Sequence, residues 1–255
     1  MAIIAAFKLS LMVLCVLVYS PLAWAAFKLK KYRLRDWLMC KGSRALLWCV
    51  GVRVSATGEL AVARPLLLVS NHVSYLDIPV IGTHAPVVFT PKSEIAGWPF
   101  LGWLAKVQSS VFINRTTDKF RENTQMLREA LSGGALLSLF PEGTTGNGLN
   151  MLPFKSAFFS LAEEPIGGEA LVVQPLAISY TRIRNLPIDI TQWPDVAWYG
   201  DMLLLPHLWK FLQMTPVSVK LQFLAPVSIT DFADRKELSK HCQQVISDAL
   251  IDARN

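Results

Sequence analysis

Six short runs rich in aliphatic and β-branched residues recur along the chain: "PLLLVS" (65–70), "PVVFT" (86–90), "SVFIN" (110–114), "ALLSLF" (135–140), "LVVQPLAIS" (171–179) and "SVKLQFL" (218–224). Helical patterns separate them near 75–82, 97–107, 118–132 and 154–164, and an amphipathic one follows from about 231 to 253. Strands that alternate with helices predict an α/β domain with a largely parallel sheet flanked by helices. The segment 193–214, "WPDVAWYGDMLLLPHLWKFLQM", breaks the alternation; its aromatic and leucine density suits a helix that covers an apolar groove or touches lipid. There is no internal repeat, no GxGxxG fingerprint and no GxSxG elbow. A chain of 255 residues holds one sizeable domain with a small appendage.

That appendage is N-terminal. Residues 9–27, "LSLMVLCVLVYSPLAWAAF", carry no charge, and at about 1.5 Å per residue a helix of this length just crosses a hydrocarbon core of roughly 30 Å. Ala23-Trp24-Ala25 resembles a signal-peptidase site, but the basic residues Lys28, Lys30, Lys31, Arg33 and Arg35 follow the run, and they hold that side in the cytoplasm. The expectation is a retained helical anchor at the cytoplasmic face of the inner (plasma) membrane. "DWLMCKGSRALLWCVGV" (36–52) then mixes basic residues with tryptophans, as in a helix lying in the headgroup region or packed on the main domain. The division drawn is a membrane-anchoring segment at 1–57 and the α/β domain at 58–255.

Composition points the same way. Only 17% of residues are charged, against about 25% in an average soluble domain, while 52% are hydrophobic and the net charge is +6. A chain both basic and apolar favours an anionic bilayer over nucleic acid, which asks for a denser polar basic stripe. Cys15, Cys40, Cys49 and Cys242 form no CxxC pair, and His72, His84, His207 and His241 have no ligand spacing, so neither a disulfide framework nor a metal is expected.

Reactive and anion-binding residues cluster where strands end: Asn71-His72, then Asn114-Arg115, then "FPEGTTGNG" (140–148). Histidine suits general-base work near neutrality, and a carboxylate on one ring nitrogen leaves the other free to take a proton. On a continuous helix His72 and Asp77 would point about 140° apart, so the pair works only with His72 in the turn before a helix and Asp77 in its first turn. Ser74-x-x-Asp77 equally matches a capping box with no chemistry attached. Arg115 has the fork that suits phosphate, and Gly143, Thr144 and Thr145 offer N–H and hydroxyl groups to an anion. Glu142 beside them suits orienting Arg115 or the loop backbone.

In this order "NHVSYLD", "VFINR", "LFPEGTT" and "VVQPLAI" resemble the four motifs of the glycerolipid acyltransferase family, typified by 1-acyl-sn-glycerol-3-phosphate acyltransferase, over roughly residues 60–180. "PKSEIAGWPFLGW" and "PFKSA" are also similar to that family. The resemblance implies acyl transfer from acyl-CoA or acyl-carrier protein, as donor substrate rather than cofactor, to the sn-2 hydroxyl of 1-acyl-glycerol-3-phosphate, giving phosphatidic acid. His72 would be the base and Asp77 its orienting partner. Asn114, Arg115, Glu142, Gly143, Thr144 and Lys92 would bind the acceptor's phosphate, backbone N–H groups would hold the oxyanion, and Pro175 would line the acyl path. Two departures stand out: Asn114 where the family often has Asp, and Thr145 where it often has Arg. The second removes a phosphate-seeking cation and keeps open acylation of another lysolipid, such as lyso-ornithine lipid. The alternative from another class is a non-catalytic lipid-binding protein; a serine hydrolase built on Ser74 ranks below both.

Overall fold

The computed structural model describes residues 2–91, 93–97, 102, 112 and 120–253. The uncharged run lies inside α1 (Ala2–Lys28), the one helix among the described residues that is long and apolar enough to cross a membrane. A turn at Leu29–Lys31 folds the chain back into α2 (Tyr32–Val50). Gly42 lets the two helices approach closely: its carbonyl accepts from the Cys15 thiol, and a Cβ there would sit 3.0 Å from Cβ of Tyr19. Both helices also grip the domain. Ala5 is buried in its core, Lys8 bonds the Thr215 hydroxyl, and Arg44 Nε donates to the carbonyl of Thr83 at 2.8 Å.

Helix α2 ends at Gly51, whose φ of 82° places it in the left-handed region that favours glycine, with its N–H capping Leu47 and Trp48. The next residue already belongs to a strand, β1 (Val52–Thr57). The main remaining elements are β2 (Leu66–Ser70), α3 (Asp77–Gly82), β3 (Val88–Phe89), α4 (Phe120–Ser132), β4 (Leu136–Leu139), a 3-10 segment (Ser156–Ala162) and β5 (Val172–Ile183). After them come β6 (Leu186–Pro187), a one-turn α5 (Trp193–Val196), α6 (Leu204–Met214), β7 (Val217–Phe223), β8 (Val227–Ser228) and α7 (Arg235–Asp252).

The sheet runs β1-β7-β5-β2-β4-β3. Every neighbouring pair on that path is parallel except β5 with β7, so the expected largely parallel sheet is present with one antiparallel join. Two details differ from the sequence expectation. Strand β1 pairs along its whole length with β7, so the sheet begins inside the segment that had been drawn as anchor up to residue 57. Its residues, "VRVSAT", do alternate with a period of two, but they follow a helix with no loop between. Strand β5 runs four residues beyond the expected 179. The run at 110–114 lies outside the described residues.

Alternation along the strands sorts the core into two layers. Leu66, Leu68, Ile178, Val219 and Leu221 face one side, where α1, α2, α3 and α6 bring Ala5, Leu47, Val80, Ile81, Phe211 and Leu212. Leu67, Val69, Leu137 and Val173 face the other, against Leu127 and Leu131 of α4, Phe159, and Leu238, Cys242 and Ile246 of α7. Each such fully buried aliphatic side chain contributes about 1.5–3 kcal/mol of burial. The layers hold the C-terminal ends of β2 and β4 beside the middle of β5, and the site forms there.

Candidate active site

Strand β2 ends at Ser70, yet its ladder to β5 continues through a side chain. Asn71 Nδ2 donates to the carbonyl of Ile178 (3.0 Å), and its Oδ1 accepts from the Ile178 N–H (2.9 Å). A side chain thus makes the bonds that the next strand residue's backbone would make, and the main chain is free to turn at His72.

His72 is then fixed on every side but one. Its N–H donates to Glu142 Oε1 (2.7 Å), and its carbonyl accepts from the Gly146 N–H (2.8 Å). The ring stacks on Phe140, with centroids 3.8 Å apart and planes 11° from parallel. Nδ1 meets Asp77 Oδ2 at 2.8 Å. Nε2 has no hydrogen-bond partner among the described residues, and the side chain keeps 17% of its surface exposed.

Asp77 opens α3 and is wholly buried. Its Oδ2 accepts from three consecutive residues: the His72 ring, the Val73 N–H (2.7 Å) and the Ser74 N–H (3.0 Å). Its Oδ1 accepts from the Tyr180 hydroxyl at 2.8 Å. Two backbone N–H groups and a phenol, all donors, leave this carboxylate only the acceptor role. Nδ1 of His72 therefore carries the ring proton, and the lone pair sits on Nε2. Burial, with the Asp77 charge beside it, pushes the Tyr180 hydroxyl far above the usual phenol range, so it remains a donor.

The capping interpretation and the dyad interpretation converge here on one atom. The Asp77–Ser74 N–H bond is half of a capping box, made by the same Oδ2 that holds His72. Ser74 is completely buried, and its Oγ meets the Leu76 N–H at 3.4 Å, which removes it as a nucleophile.

The loop after β4 closes the site from the other side. Glu142, expected among the phosphate contacts, is instead buried with both oxygens on backbone: Oε1 on His72 and Oε2 on the Leu152 N–H (2.8 Å). It ties the backbone of His72 to that of Leu152. Burial pushes its carboxyl up to about 7, against the lowering effect of those two N–H groups. The N–H groups of Gly143 and Gly146 are bonded to the carbonyls of Phe140 and His72, so the loop offers an anion fewer donors than its glycines promised. Thr144 is exposed and Thr145 half-buried. Asn114, Arg115 and Lys92 lie outside the described residues.

Three participants were not singled out from the sequence. Tyr180, the residue after the run "LVVQPLAIS", reaches Asp77 from 103 positions away. Phe140, first of "FPEGTTGNG", is the platform under the histidine. Lys155 of "PFKSA" donates its N–H to the Pro141 carbonyl (2.9 Å) and lays its ammonium over Gly143, where a Cβ would come within 2.8 Å of Nζ. Gly143 has φ of +77°, so the turn needs glycine both for its backbone and for this approach. A cation therefore stands beside the loop in which Thr145 supplies none. The signal for Tyr180 was a phenol in a central strand, since a buried hydroxyl requires a partner.

A buried carboxylate, an imidazole oriented by it and a flanking Gly-Thr loop thus meet at the C-terminal ends of β2 and β4. The chain belongs to the Acyltransferase family, whose profile matches residues 51–179. It is 37% identical over 252 residues to a lyso-ornithine lipid O-acyltransferase of Rhizobium meliloti, spanning 95% of this chain and 84% of that one. A 1-acyl-sn-glycerol-3-phosphate acyltransferase of Neisseria gonorrhoeae is 32% identical over 83% of this chain and 79% of its own. The fold matches the crystal structure of the 1-acyl-sn-glycerophosphate acyltransferase PlsC from Thermotoga maritima with a TM-score of 0.74, at 20% identity, covering 98% of this chain and 94% of that one.

Proposed function

We propose that this acyltransferase acylates the hydroxyl of a lysolipid by general-base catalysis, with lyso-ornithine lipid as its preferred acceptor. The His72–Asp77 geometry carries the reaction. Nε2 of His72 takes the hydroxyl proton, the acceptor oxygen attacks the thioester carbonyl of acyl-CoA or acyl-carrier protein, and the C–S bond breaks. The proton on His72 then passes to the departing thiolate, leaving an ester and a free thiol. Asp77 stabilises the imidazolium formed in between. No acyl-enzyme forms, consistent with the burial of Ser74.

Two observations support the acceptor: the likeness to the Rhizobium meliloti relative and the absence of an arginine at Thr145. Lysophosphatidate is the second reading, favoured by the Lys155 ammonium over Gly143 and by the Neisseria gonorrhoeae relative. The work takes place at the cytoplasmic face of the inner membrane, with α1 and α2 in the lipid and Lys28, Lys30, Lys31, Arg33 and Arg35 among anionic headgroups. The deciding assay supplies labelled acyl-CoA, or acyl-carrier protein, with each lysolipid in turn. The expected result is transfer to lyso-ornithine lipid that His72→Ala abolishes. Transfer confined to lysophosphatidate overturns the acceptor, and full activity of His72→Ala overturns the mechanism.

A further inference from the structure

The two outer surfaces of the molecule differ in kind. On the α7 side, the solvent-facing positions are Lys236, Glu237, Lys240, Gln244, Asp248 and Asp252, with one apolar exception, Ile251, in the last turn. On the opposite side, α6 packs beside α1 on the same sheet face. Its inward residues His207, Phe211 and Leu212 are buried, yet of its exposed positions Leu205, Pro206 and Trp209 are apolar, beside the one cation Lys210. Leu203 and Leu205 are 72% and 74% exposed and Trp209 is 38% exposed. The neighbouring helix α1 also exposes apolar residues, Ile3, Ile4 and Phe7.

We infer that α6 is a second lipid-contact element: Leu203, Leu205 and Trp209 enter the same bilayer surface that receives α1. The inference rests on the membrane-bound reading above and adds to it a helix from the middle of the catalytic domain. Packing against α1, the helix long and apolar enough to cross a membrane, points to lipid as the occupant, because α1 and α6 lie side by side in one layer with their inward faces on one core. The chemistry of the face agrees, with a tryptophan, two leucines and the flanking cation Lys210, which is paired with Asp195.

The position of α6 gives the contact a consequence. Its inner face holds the catalytic turn: the Tyr75 hydroxyl donates to His207 Nδ1 at 3.1 Å, and His207 Nε2 donates to the Ala197 carbonyl. Just upstream, the Trp198 N–H donates to the Val73 carbonyl at 2.9 Å. The helix that touches lipid on one side thus braces, on the other, the turn between His72 and Asp77. Docking through α6 sets the height of the catalytic pair above the bilayer, where a lysolipid hydroxyl lies.

The test uses the full chain in vesicles of phosphatidylcholine and phosphatidylglycerol. The fluorescence that wild type has and Trp209→Phe lacks reports Trp209 alone. Quenching of that difference by lipids brominated on their acyl chains supports the inference. Quenching by aqueous iodide instead, or by neither agent because a second copy covers the helix, overturns it. A second arm compares Leu205→Glu with wild type on two acceptors. Activity on vesicle-embedded lysolipid should fall roughly tenfold, the scale of withdrawing a large apolar side chain from lipid, while activity on a short-chain lysolipid dissolved as monomers stays unchanged. Equal loss on both acceptors signals a disturbed catalytic turn and overturns the docking role. The fluorescence arm needs no turnover, so it stands even if no lysolipid proves to be an acceptor.

Discussion

Replacing Asp77 by Asn separates what its charge does from what its shape does. Three donors, the His72 ring N–H and the Val73 and Ser74 backbone N–H groups, converge on Oδ2. An asparagine must put its amide oxygen there, because its NH2 would face three donors. The NH2 then points at the Tyr180 oxygen, which accepts in place of donating. The turn, the ring orientation and the Nδ1–H tautomer all survive, and only the negative charge is lost. Opposite charges about 4 Å apart attract by about 4 kcal/mol at an effective dielectric of about 20. That attraction exists only while His72 holds the substrate proton, so its loss raises the barrier. Allowing for residual screening, about 2–4 kcal/mol predicts a kcat lowered roughly 30- to 1,000-fold with little change in KM. Steady-state transfer of labelled acyl groups, with circular dichroism to confirm the fold, checks this. A folded Asp77→Asn enzyme with more than about a third of the wild-type kcat, or a loss confined to KM, would refute the charge-stabilisation argument.

Two further substitutions probe the groups around the pair. Tyr180→Phe leaves a buried carboxylate oxygen without its donor, and chemical denaturation should show a loss of about 1–3 kcal/mol; unchanged stability would mean that the bond is not made in solution. Glu142→Gln tests the buried clamp through pH. The folded carboxyl titrates near 7 and the unfolded one near 4.5, so the folded state binds the extra proton between those values. Wild type should therefore lose stability relative to Glu142→Gln as pH rises from about 5 to 8, by up to about 3 kcal/mol. A stability difference that does not vary with pH would show that Glu142 titrates as an ordinary carboxyl.

Local pattern carried much of this structure. Five of the six strand runs and the helices at 75–82, 118–132 and 231–253 fall where local pattern put them, the central strands as short apolar runs buried on both faces and β7 as an alternating one. The run at 154–164 became a 3-10 segment, and β1 went unseen because it follows α2 without a turn residue other than Gly51. At the site, His72 and Asp77 were legible because their spacing is short. Tyr180 and Phe140 were not, since only the parallel register of β2 with β4 and β5 brings them to the pair, and Lys155 meets the Gly143 turn only through the fold of the loop after β4. Glu142 was half legible: its place in the loop was plain, but burial, which turns an anion-site residue into a backbone clamp, is a tertiary property.

The five-residue spacing has a physical reason. Across His72, Val73 and Ser74 the turn aims a ring N–H and two backbone N–H groups at one point, and Asp77 returns on the first turn of α3 to put an oxygen there. A shorter spacing would leave Asp77 inside the turn, and a longer one would carry it round α3 away from the ring. Cap and catalytic partner are thus one bond set, and the four donors do not weigh equally in it. Removing His72 takes away one donor and leaves Val73, Ser74 and Tyr180 to hold the carboxylate, so His72→Ala should fold normally and lose activity. Asp77→Ala would strand two buried N–H groups and a buried hydroxyl, each costing about 1–3 kcal/mol. Its inactivity would then say as much about a disordered turn as about chemistry. For this pair alanine is informative at 72 and ambiguous at 77, where asparagine alone distinguishes the two roles of the carboxylate.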